Sequence, residues 1–564
     1  MAADTPTAHA LVREGVAQLN RGQVSEAETT LRQALALDDR MADGWHNLGV
    51  ALARAGRPAE AVAAMRRAVD LAPGHAVFHA GFGRLLKLTG DLPGAVASFT
   101  RALELAPNDA ALSEGLALTL MALGRDAEAI PHLRRATMAQ PDNAALKTNL
   151  GVALKNAGHL DDAETALAAA IALKPDLAEA HLNLGGVRQA RGDVDGAIAA
   201  YARARVLGAP ADIAAFNLAT AYERAYDFAA ALSHLDQAIV LRPDYAEAHR
   251  NRGMLKLMRG DWQDGWTDYD WRWRCADFAA RQRPFSGPRW DGRPLKGPLL
   301  VWGEQGVGDE LLFLGMAPEL VARGVDVIWE MDARLVPLVA RSMPGMRAVA
   351  RRDPPDVATG DTAIAAHIPA GSLGQYLRSA QSSFPSRAGY ITADAARAAG
   401  FRARLGGGSG LRVAGVSWIS TAAELGADKS LTLEALLPVL RTPGWRWVDL
   451  QYGDTAVERA AFQRAHGIEI IHLDELDLRA DLDGVAALMT ACDTVLTVSN
   501  TTAHLAGALG APGVVLAAAG ARKLWCWGDA CDSVPWYPAL TMIRQPTPGD
   551  WAGAIAATRR RLSN

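Results

Sequence analysis

Apolar positions in the first half of the chain recur as pairs of helical segments with a constant period of 34 residues, as from Pro73 to Pro107. Small residues recur where two helices would cross closely, and proline recurs where each pair ends. The recurring residues are Ala27, Ala61, Ala95, Ala129, Ala163, Ala197 and Ala231, then Ala34, Ala68, Ala102, Ala136, Ala170, Ala204 and Ala238, and Pro73, Pro107, Pro141, Pro175 and Pro243. This pattern predicts stacked helix pairs from about residue 8 to residue 245.

The period and its conserved spacing of small residues resemble the tetratricopeptide repeat (TPR), in about seven copies. An eighth copy begins at Ala246 and loses the pattern in a cluster formed by Trp262, Trp266, Trp271 and Trp273. Only Trp45 of the 15 tryptophans precedes this cluster. We therefore predict a TPR α-solenoid over residues 1–245, followed by a degenerate capping repeat and connector over residues 246–298.

One position of the repeat is polar, and it is occupied in four consecutive copies by Asn149, Asn183, Asn217 and Asn251, with Asn47 in an earlier copy. Stacked repeats would align these amides, and each can give one donor and one acceptor to an extended peptide. Asparagine is also common here in the repeat consensus, so a structural role is the alternative. Gly81 and Gly115 interrupt the series, which restricts a peptide groove to its C-terminal half.

Beyond a loop rich in proline and glycine, the pattern changes to short β-branched runs that alternate with helices. A strand at Leu299–Trp302 leads through the turn Gly303–Asp309 to a helix from Glu310, with a second strand at Val325–Glu330. Further strands are predicted at 412–418, 446–450, 468–472, 494–498 and 514–516, with helices such as 431–440 and 483–492 between them. This order predicts two doubly wound parallel sheets, over residues 299–405 and 406–564, joined by the glycine run 406–410.

Residues 494–516 form the clearest β-α-β unit, with the cluster Ser499, Asn500, Thr501 and Thr502 at the start of its helix. These residues favour the N-terminal cap of a helix. Free backbone N–H groups and the helix dipole make such a terminus suited to a phosphate. A site for a phosphorylated ligand is therefore predicted here.

The turn Gly303–Asp309 has three interpretations. A phosphate loop is excluded in its usual form because no Gly-Lys-Ser/Thr closes the turn. A dinucleotide fingerprint would use Gly306, Gly308 and the acid Glu330, but Leu311 stands at its third glycine. The third interpretation is an active-site turn that presents Asp309 at the carboxyl end of the sheet.

Two such α/β units resemble the GT-B glycosyltransferases, and residues 299–545 resemble the lipopolysaccharide heptosyltransferases (glycosyltransferase family 9). The strand and Gly-x-Gly-Asp at 299–309, Lys429, and the segment 498–509 with His504 carry the resemblance. It implies that Asp309 is the catalytic base, that Lys429 neutralises the donor diphosphate, and that Ser499–His504 hold the donor. The family usually has an acid before the last helix, where this chain has Ser499-Asn500-Thr501, so the donor sugar stays open.

These observations together predict a metal-independent inverting glycosyltransferase that uses a nucleotide sugar as substrate and no cofactor. Its TPR domain would recruit a protein acceptor, as the similar Asn ladder of protein O-GlcNAc transferases implies. The expected base is Asp309, and the expected acceptor-peptide residues are Asn149, Asn183, Asn217 and Asn251. The expected donor-binding residues are Gly306, Gly308, Ser417, Lys429, Gln451, Ser499, Asn500, Thr501, Thr502 and His504.

Other features were weighed against this prediction. Asp481 and Asp483 superficially match a metal-binding Asp-x-Asp, but capping of the helix that follows is favoured, and no metal is assigned. Trp525, Trp527 and Trp536 would stack on a sugar or pack between the two α/β units. The tail 550–562 is predicted to be a helix that crosses back over the first α/β unit, as in many GT-B proteins.

Composition narrows the function classes. The net charge of −4 and the pI of about 6.4 argue against nucleic acid as the main partner. The sequence shows no signal peptide and no apolar run long enough for a membrane span, and its four cysteines fit a reducing compartment, so we expect a cytoplasmic location. The alternatives are a non-catalytic TPR scaffold with a degenerate GT-B domain and, more weakly, a nucleotide-dependent oxidoreductase.

Overall fold

A computed structural model describes residues 7–285, 287–355, 363–406, 410–421, 426–519, 525–528, 533–547 and 549–563. The chain forms two compact units, Met1–Ala221 and Tyr222–Asn564. The boundary between the units lies within a helix of the seventh repeat. The second helix of that repeat and the whole eighth repeat therefore belong to the same unit as the sheets.

Sixteen helices form the repeat region. They are α1 Ala8–Asn20, α2 Val24–Leu37, α3 Ala42–Arg54, α4 Pro58–Leu71, α5 Ala76–Leu88, α6 Leu92–Leu105, α7 Ala110–Ala122, α8 Asp126–Ala139, α9 Ala144–Asn156, α10 Leu160–Leu173, α11 Ala178–Arg191, α12 Val194–Val206, α13 Ala211–Arg224, α14 Phe228–Leu241, α15 Ala246–Met258 and α16 Trp262–Tyr269. They confirm the seven predicted repeats and an eighth whose second helix is shortened.

Small residues allow the two helices of each repeat to approach closely. Ala27 and Ala61 are completely buried where the helices cross. A Cβ atom at Gly49 would lie 2.5 Å from Cγ of Met65, so a larger residue cannot occupy that position without moving its neighbour. Glycine with positive φ, such as Gly56 at 75°, closes the turn between the paired helices. The period read from the sequence is thus a packing period.

The first sheet comprises four parallel strands in the order β3-β2-β1-β4. The elements of this region are α17 Ala276–Ala279, β1 Leu299–Trp302, α18 Val307–Leu314, α19 Ala317–Ala322, β2 Val327–Met331, α20 Val336–Ser342, β3 Met346–Ala350, β4 Ala366–Pro369, α21 Gly374–Leu377 and α22 Ala395–Arg404. Successive strands run outward from β1 in one direction and then return to its other side at β4. The order in which strands are added therefore reverses between β1 and β4, and open α/β sheets bind ligands at such a point.

The second sheet has seven strands in the order β10-β11-β9-β8-β5-β6-β7, all parallel except the short pair of β10 and β11. Its elements are β5 Arg412–Ser417, α23 Gly426–Lys429, α24 Leu433–Leu440, β6 Trp445–Asp449, α25 Ala456–His466, β7 Ile470–Ile471, α26 Leu482–Thr490, β8 Thr494–Val498, α27 Thr501–Leu509, β9 Gly513–Ala517, β10 Ser533–Val534, β11 Tyr537–Arg544 and α28 Trp551–Ser563. In this sheet the order in which strands are added reverses between β5 and β8.

The structure corrects several details of the sequence prediction. Helix α18 begins at Val307 rather than Glu310, so Asp309 lies inside its first turn. Strands β3, β4, β10 and β11 were not predicted. Helix α28 packs on α24 and β11 rather than over the first sheet, because its apolar face covers the edge of the second core, and its Leu562 carbonyl accepts a hydrogen bond from Trp445. The middle of the predicted glycine linker, 407–409, lies outside the described residues.

Candidate functional site

Asp309 stands at the carboxyl end of β1, in the third position of α18. Gly306 precedes this helix without a side-chain cap, and the Asp309 side chain is half-buried. Burial, together with the negative charge of Glu304, raises the pKa of Asp309 to about 6, although the backbone N–H groups of Gly306 and Asp309 and the charge of Lys429 act in the opposite direction. A carboxylate with this pKa can accept a proton near neutral pH.

The predicted turns of the two sheets meet. A Cβ atom at Gly308 would lie 2.9 Å from Cδ2 of His504, and α18 packs directly on α27. Gly308 therefore allows the first turn of α18 to approach the first turn of α27. The contact brings the helix start that carries Asp309 next to the helix start that carries His504; a shared donor site there stays a prediction.

Three of the predicted donor-binding side chains hydrogen-bond one another at the junction of β5 and β8. The Asn500 amide donates to Ser417 Oγ at 2.9 Å, and the Ser417 hydroxyl donates to Gln451 Oε1 at 3.0 Å. Asn500 also caps α27, and Gln451 Oε1 accepts the Trp418 and Ile419 N–H groups. All three residues are almost fully buried. Their side chains hold the loops at the sheet edge, and direct donor contact remains a prediction for them.

The other residues of the α27 turn differ in their availability. Thr502 Oγ1 donates weakly to Ser417 Oγ at 3.4 Å. The hydroxyl groups of Ser499 and Thr501 form no hydrogen bond with any part of the chain that the structure describes. Ser499 and Thr501 are therefore the hydroxyls of this turn that remain free for a ligand.

His504 is buried in α27, and its Nδ1 lies 2.9 Å from the Tyr537 hydroxyl. The Tyr390 hydroxyl, in the same buried cluster, donates to the carbonyl of Leu311. Burial lowers the pKa of His504 to about 3, so the ring is neutral. His504 can thus hydrogen-bond a hydroxyl through Nε2 but does not offer positive charge to a phosphate.

Lys429 ends the short helix α23 and is only 5% exposed. Burial lowers its pKa, while Asp309 and Cys526 act in the opposite direction. It forms no salt bridge with a carboxylate of the described residues. The charge of Lys429 reaches Asp309 in the first turn of α18 and His504 in the first turn of α27, which favours an anionic ligand there.

Several residues of this site were missed in the sequence. Glu304 is buried and accepts two hydrogen bonds from Arg272, and Gln305 donates to the Tyr269 hydroxyl at 2.9 Å. Arg272 and Tyr269 belong to the degenerate eighth repeat. The only sequence signal was the run 269–274, in which aromatic and charged residues alternate.

Two alternative interpretations can be compared with the structure. Glu330, the acid of a dinucleotide fingerprint, is fully buried and forms an ion pair with Arg283 at 2.6 Å, so it does not face a ribose. Asp481 caps α26 through the N–H of Gly484, as predicted. No group of three His, Cys, Asp or Glu side chains in the described ranges is arranged to hold a metal ion.

The aromatic residues of the last segment pack within the protein. The Trp527 ring centroid lies 4.8 Å from that of His504. Trp525 and Trp536 pack on Trp266 of the eighth repeat, at 5.3 and 6.3 Å. These contacts favour the packing role that the sequence left open for Trp525 and Trp536.

The asparagines of the repeat all lie half-buried on the first helix of their repeats. First helices of successive repeats contact each other, as do α9 and α11. The Asn183 amide donates to the Glu179 carbonyl at 2.9 Å, and Asn47 makes the same bond to Asp43 at 2.8 Å. Such a bond leaves Oδ1 as an acceptor, but it also serves the helix. Both roles of the ladder stay open.

Family models of the tetratricopeptide repeat match most of the helical region. One matches residues 12–76, 148–212 and 216–267, and another matches residues 52–113 and 86–150. Residues 12–267 therefore contain TPRs, which confirms this part of the sequence prediction. No helix among the residues described here has the length and apolarity required to cross a membrane.

The chain is also similar to the protein FlbA of Caulobacter vibrioides, with 31% identity over 397 residues. This similarity covers 59% of the chain and 64% of FlbA, so the chain spans less than two thirds of that protein. Among solved structures, YrrB, described as a TPR protein with an unusual peptide-binding site, is 22% identical and covers 33% of this chain and 95% of its own, with a TM-score of 0.31. MamA from Desulfovibrio magneticus RS-1 is 24% identical and covers 29% of this chain and 94% of its own, with a TM-score of 0.28.

Proposed function

We propose that residues 299–563 form a GT-B-type glycosyltransferase, which transfers a sugar from a nucleotide-sugar donor with inversion at the anomeric carbon. One observation carries the proposal: a half-buried carboxylate with a pKa of about 6, Asp309, adjoins a buried cation and two helix N-termini. Inverting transfer requires a base on one side of the anomeric carbon and positive potential on the leaving group.

The reaction would follow from these positions. Asp309 takes the proton of an acceptor hydroxyl, whose oxygen forms a bond to the anomeric carbon. The bond from that carbon to the diphosphate oxygen breaks, and the nucleoside diphosphate leaves with its electron pair. Lys429 and the N-terminus of α27 stabilise the negative charge on the diphosphate, while Ser499 and Thr501 donate hydrogen bonds to it. His504 Nε2, the ring nitrogen that does not face Tyr537, hydrogen-bonds to a hydroxyl of the sugar.

The repeat region would bind the acceptor protein. TPR domains bind extended or helical segments of other proteins along their first helices. The half-buried asparagines Asn149, Asn183 and Asn217 line such helices in the first unit. A protein acceptor in the cytoplasm fits this arrangement.

The experiment is turnover of a panel of nucleotide sugars by the full chain, measured as nucleotide release and as the anomeric configuration of the product. Asp309→Asn should lower turnover by roughly 10²- to 10⁴-fold and change donor affinity by only a few fold, because the base acts in the chemical step. Asp326→Asn is the matched control, since Asp326 is exposed in the same α/β region. Full turnover by Asp309→Asn would remove the base role.

The second candidate is a TPR scaffold that binds partners without catalysis. The match of the repeat models to residues 12–267 favours it, because those models say nothing of the sheets. Partner binding by the full chain together with no release of nucleotide from any donor would support this candidate over the transferase.

A further inference from the structure

The eighth repeat departs from the seven before it in a way that brings it to the candidate site. Its second helix, α16, has 8 residues, whereas α14 in the seventh repeat has 14. A 3-10 turn, Asp270–Arg274, follows it directly. Because α16 ends early, Tyr269 and Arg272 reach the turn Gly303–Asp309, where a full-length helix would carry the chain past it.

Arg272 is completely buried and fixes Glu304. Its Nη2 donates to both Glu304 oxygens, at 2.9 and 3.0 Å, and to Ser372 Oγ at 2.9 Å. The Gly371 N–H donates to the same carboxylate at 3.1 Å. Glu304 therefore has little freedom to move. It is also the acid whose negative charge reaches Asp309.

Tyr269 makes a second link to the same turn. Its buried hydroxyl accepts from Gln305 Nε2 at 2.9 Å. The hydroxyl proton has no acceptor among the residues that the structure describes. Asp309 lies close enough for its charge to help raise the pKa of Tyr269. A buried O–H group without a described acceptor, in contact with the turn that carries the proposed base, is available to a bound substrate.

We propose that the eighth repeat is a working part of the active site, with Arg272 as a positioning residue that acts through Glu304 and Tyr269 as one that acts through Gln305. This inference rests on the proposed role of Asp309. It is distinct from capping of the solenoid, which requires only apolar contact. Arg272 bonds to both Asp270 and Glu304, so it fixes Glu304 in the turn while the charge of Glu304 still reaches Asp309.

The groups that face Asp309 come from five elements. They are Glu304 of its own turn, Lys429 of α23, Tyr269 of the eighth repeat, Cys526 of the 3-10 turn Trp525–Trp527, and Tyr537 of β11. Glu304 is the carboxylic acid among them and Lys429 is the amine, and burial lowers the pKa of His504, next to Gly308, to about 3. Removal of the Glu304 charge should therefore change the pKa of Asp309.

The test compares the pH profiles of turnover in Glu304→Gln and in the double variant Arg272→Met/Glu304→Gln. Glu304→Gln removes a negative charge and leaves Arg272 with Asp270 as its carboxylate partner, so the acid limb should move down by about one pH unit. The double variant removes the charge of Arg272 as well, so its acid limb should lie between those of Glu304→Gln and the wild type. Unmoved acid limbs in both variants would overturn the proposal.

The link is also measurable without turnover. In an Asp309→Cys background, alkylation at position 309 by iodoacetamide, followed by mass spectrometry across pH, reports the thiol pKa. Glu304→Gln should lower its midpoint, and the double variant should reverse part of that shift. If the midpoint moves while the wild-type chain releases nucleotide from no donor, the electrostatic link stands and the proposed transferase fails. If the midpoint is fixed, the link fails.

Tyr269→Phe tests the second link and keeps the buried ring, so it guards against loss of folding in the charge variants. We expect kcat to fall roughly five- to tenfold with donor KM within about twofold, because Gln305 is released and the free O–H is lost. Tyr376→Phe is the control, since its hydroxyl bonds only to the Trp290 carbonyl at 3.3 Å. Equal kcat in Tyr269→Phe and wild type would remove Tyr269 from the site.

Discussion

The turns after β1 and after β8 share one backbone plan and differ in their side chains. Each follows a buried parallel strand and lies where the strand order of its sheet reverses. The first leads into a helix of 8 residues and the second into a helix of 9 residues. The first carries Asp309 and has no side-chain cap, whereas the second is capped by Asn500. The same strand-turn-helix unit thus carries a buried acid in one sheet and a capped helix start without an acid in the other, which we propose as the proton acceptor and the anion site.

The comparison also shows which electrostatic effect dominates. A helix N-terminus favours the ionised form of an acid and should lower its pKa. The pKa of Asp309 is nevertheless raised to about 6, because burial and the charge of Glu304 outweigh the helix and Lys429. The turn after β8 has no acid, so its helix dipole and Lys429 remain available to a ligand.

The strongest test of the anion site is Lys429→Met. Removal of a buried cation that faces a diphosphate should weaken donor binding by roughly 10- to 100-fold, in line with about 1.5–3 kcal/mol for a charge-assisted hydrogen bond. Titration calorimetry with the donor measures the loss. Lys296→Met is the control, because Lys296 is exposed. Equal donor affinity in both variants would place the anion elsewhere.

The turn after β1 predicts a specific dependence on pH. The base must be ionised, and the pKa of Asp309 is raised to about 6, so activity is full above that pH and falls as the pH drops through it. At one unit below the pKa, roughly a tenth of the carboxylate is ionised, and kcat/KM should fall about tenfold. A profile that stays flat down to pH 4.5 would contradict Asp309 as the titrating base.

The two kinds of residue in the turn after β8 should respond differently to substitution. Ser499→Ala and Thr501→Val remove hydroxyls without a described protein partner, so donor affinity should fall about three- to tenfold with little change in Tm. Asn500→Ala removes a helix cap and the bond to Ser417, so it should cost about 1–3 kcal/mol of folding stability. Thermal unfolding and donor titration separate the two effects, and a reversed pattern would exchange the roles.

The main-chain plan of both turns could be predicted from the sequence, because buried parallel strands are short β-branched runs and helix starts carry capping residues. Strands β1 and β8 were predicted with their observed limits, Leu299–Trp302 and Thr494–Val498. The TPR region followed from a period repeated over seven copies. The Gly308 contact places His504 against the turn that carries Asp309, and their common role at a donor site stays a prediction.

The side-chain hydrogen bonds around the two turns could not be predicted from the sequence. The Arg272–Glu304 pair joins residues 32 positions apart, one in the helical eighth repeat and one in the turn after β1. Neither residue belongs to a sequence motif. Gln451 and Asn500 were expected to bind the donor. Instead, the Gln451 amide accepts a hydrogen bond from the Trp418 N–H, and the Asn500 amide donates one to the Ile419 carbonyl. Such satisfaction depends on the tertiary approach of β5, β6 and β8, which no local pattern encodes.

The smallest expected effect concerns the asparagine ladder, where one amide adds little to a long interface. Asn149→Ala, Asn183→Ala and Asn217→Ala combined should weaken an acceptor polypeptide by several fold and leave donor turnover unchanged. Asn47→Ala is the matched control, because Asn47 donates to its own helix as Asn183 does but lies before the interruption at Gly81 and Gly115. A His46 carbon would lie 2.4 Å from a Cβ atom at Gly81, so the groove differs there. If Asn47→Ala weakened the acceptor as much as Asn183→Ala alone, the asparagines would stabilise helices and nothing more.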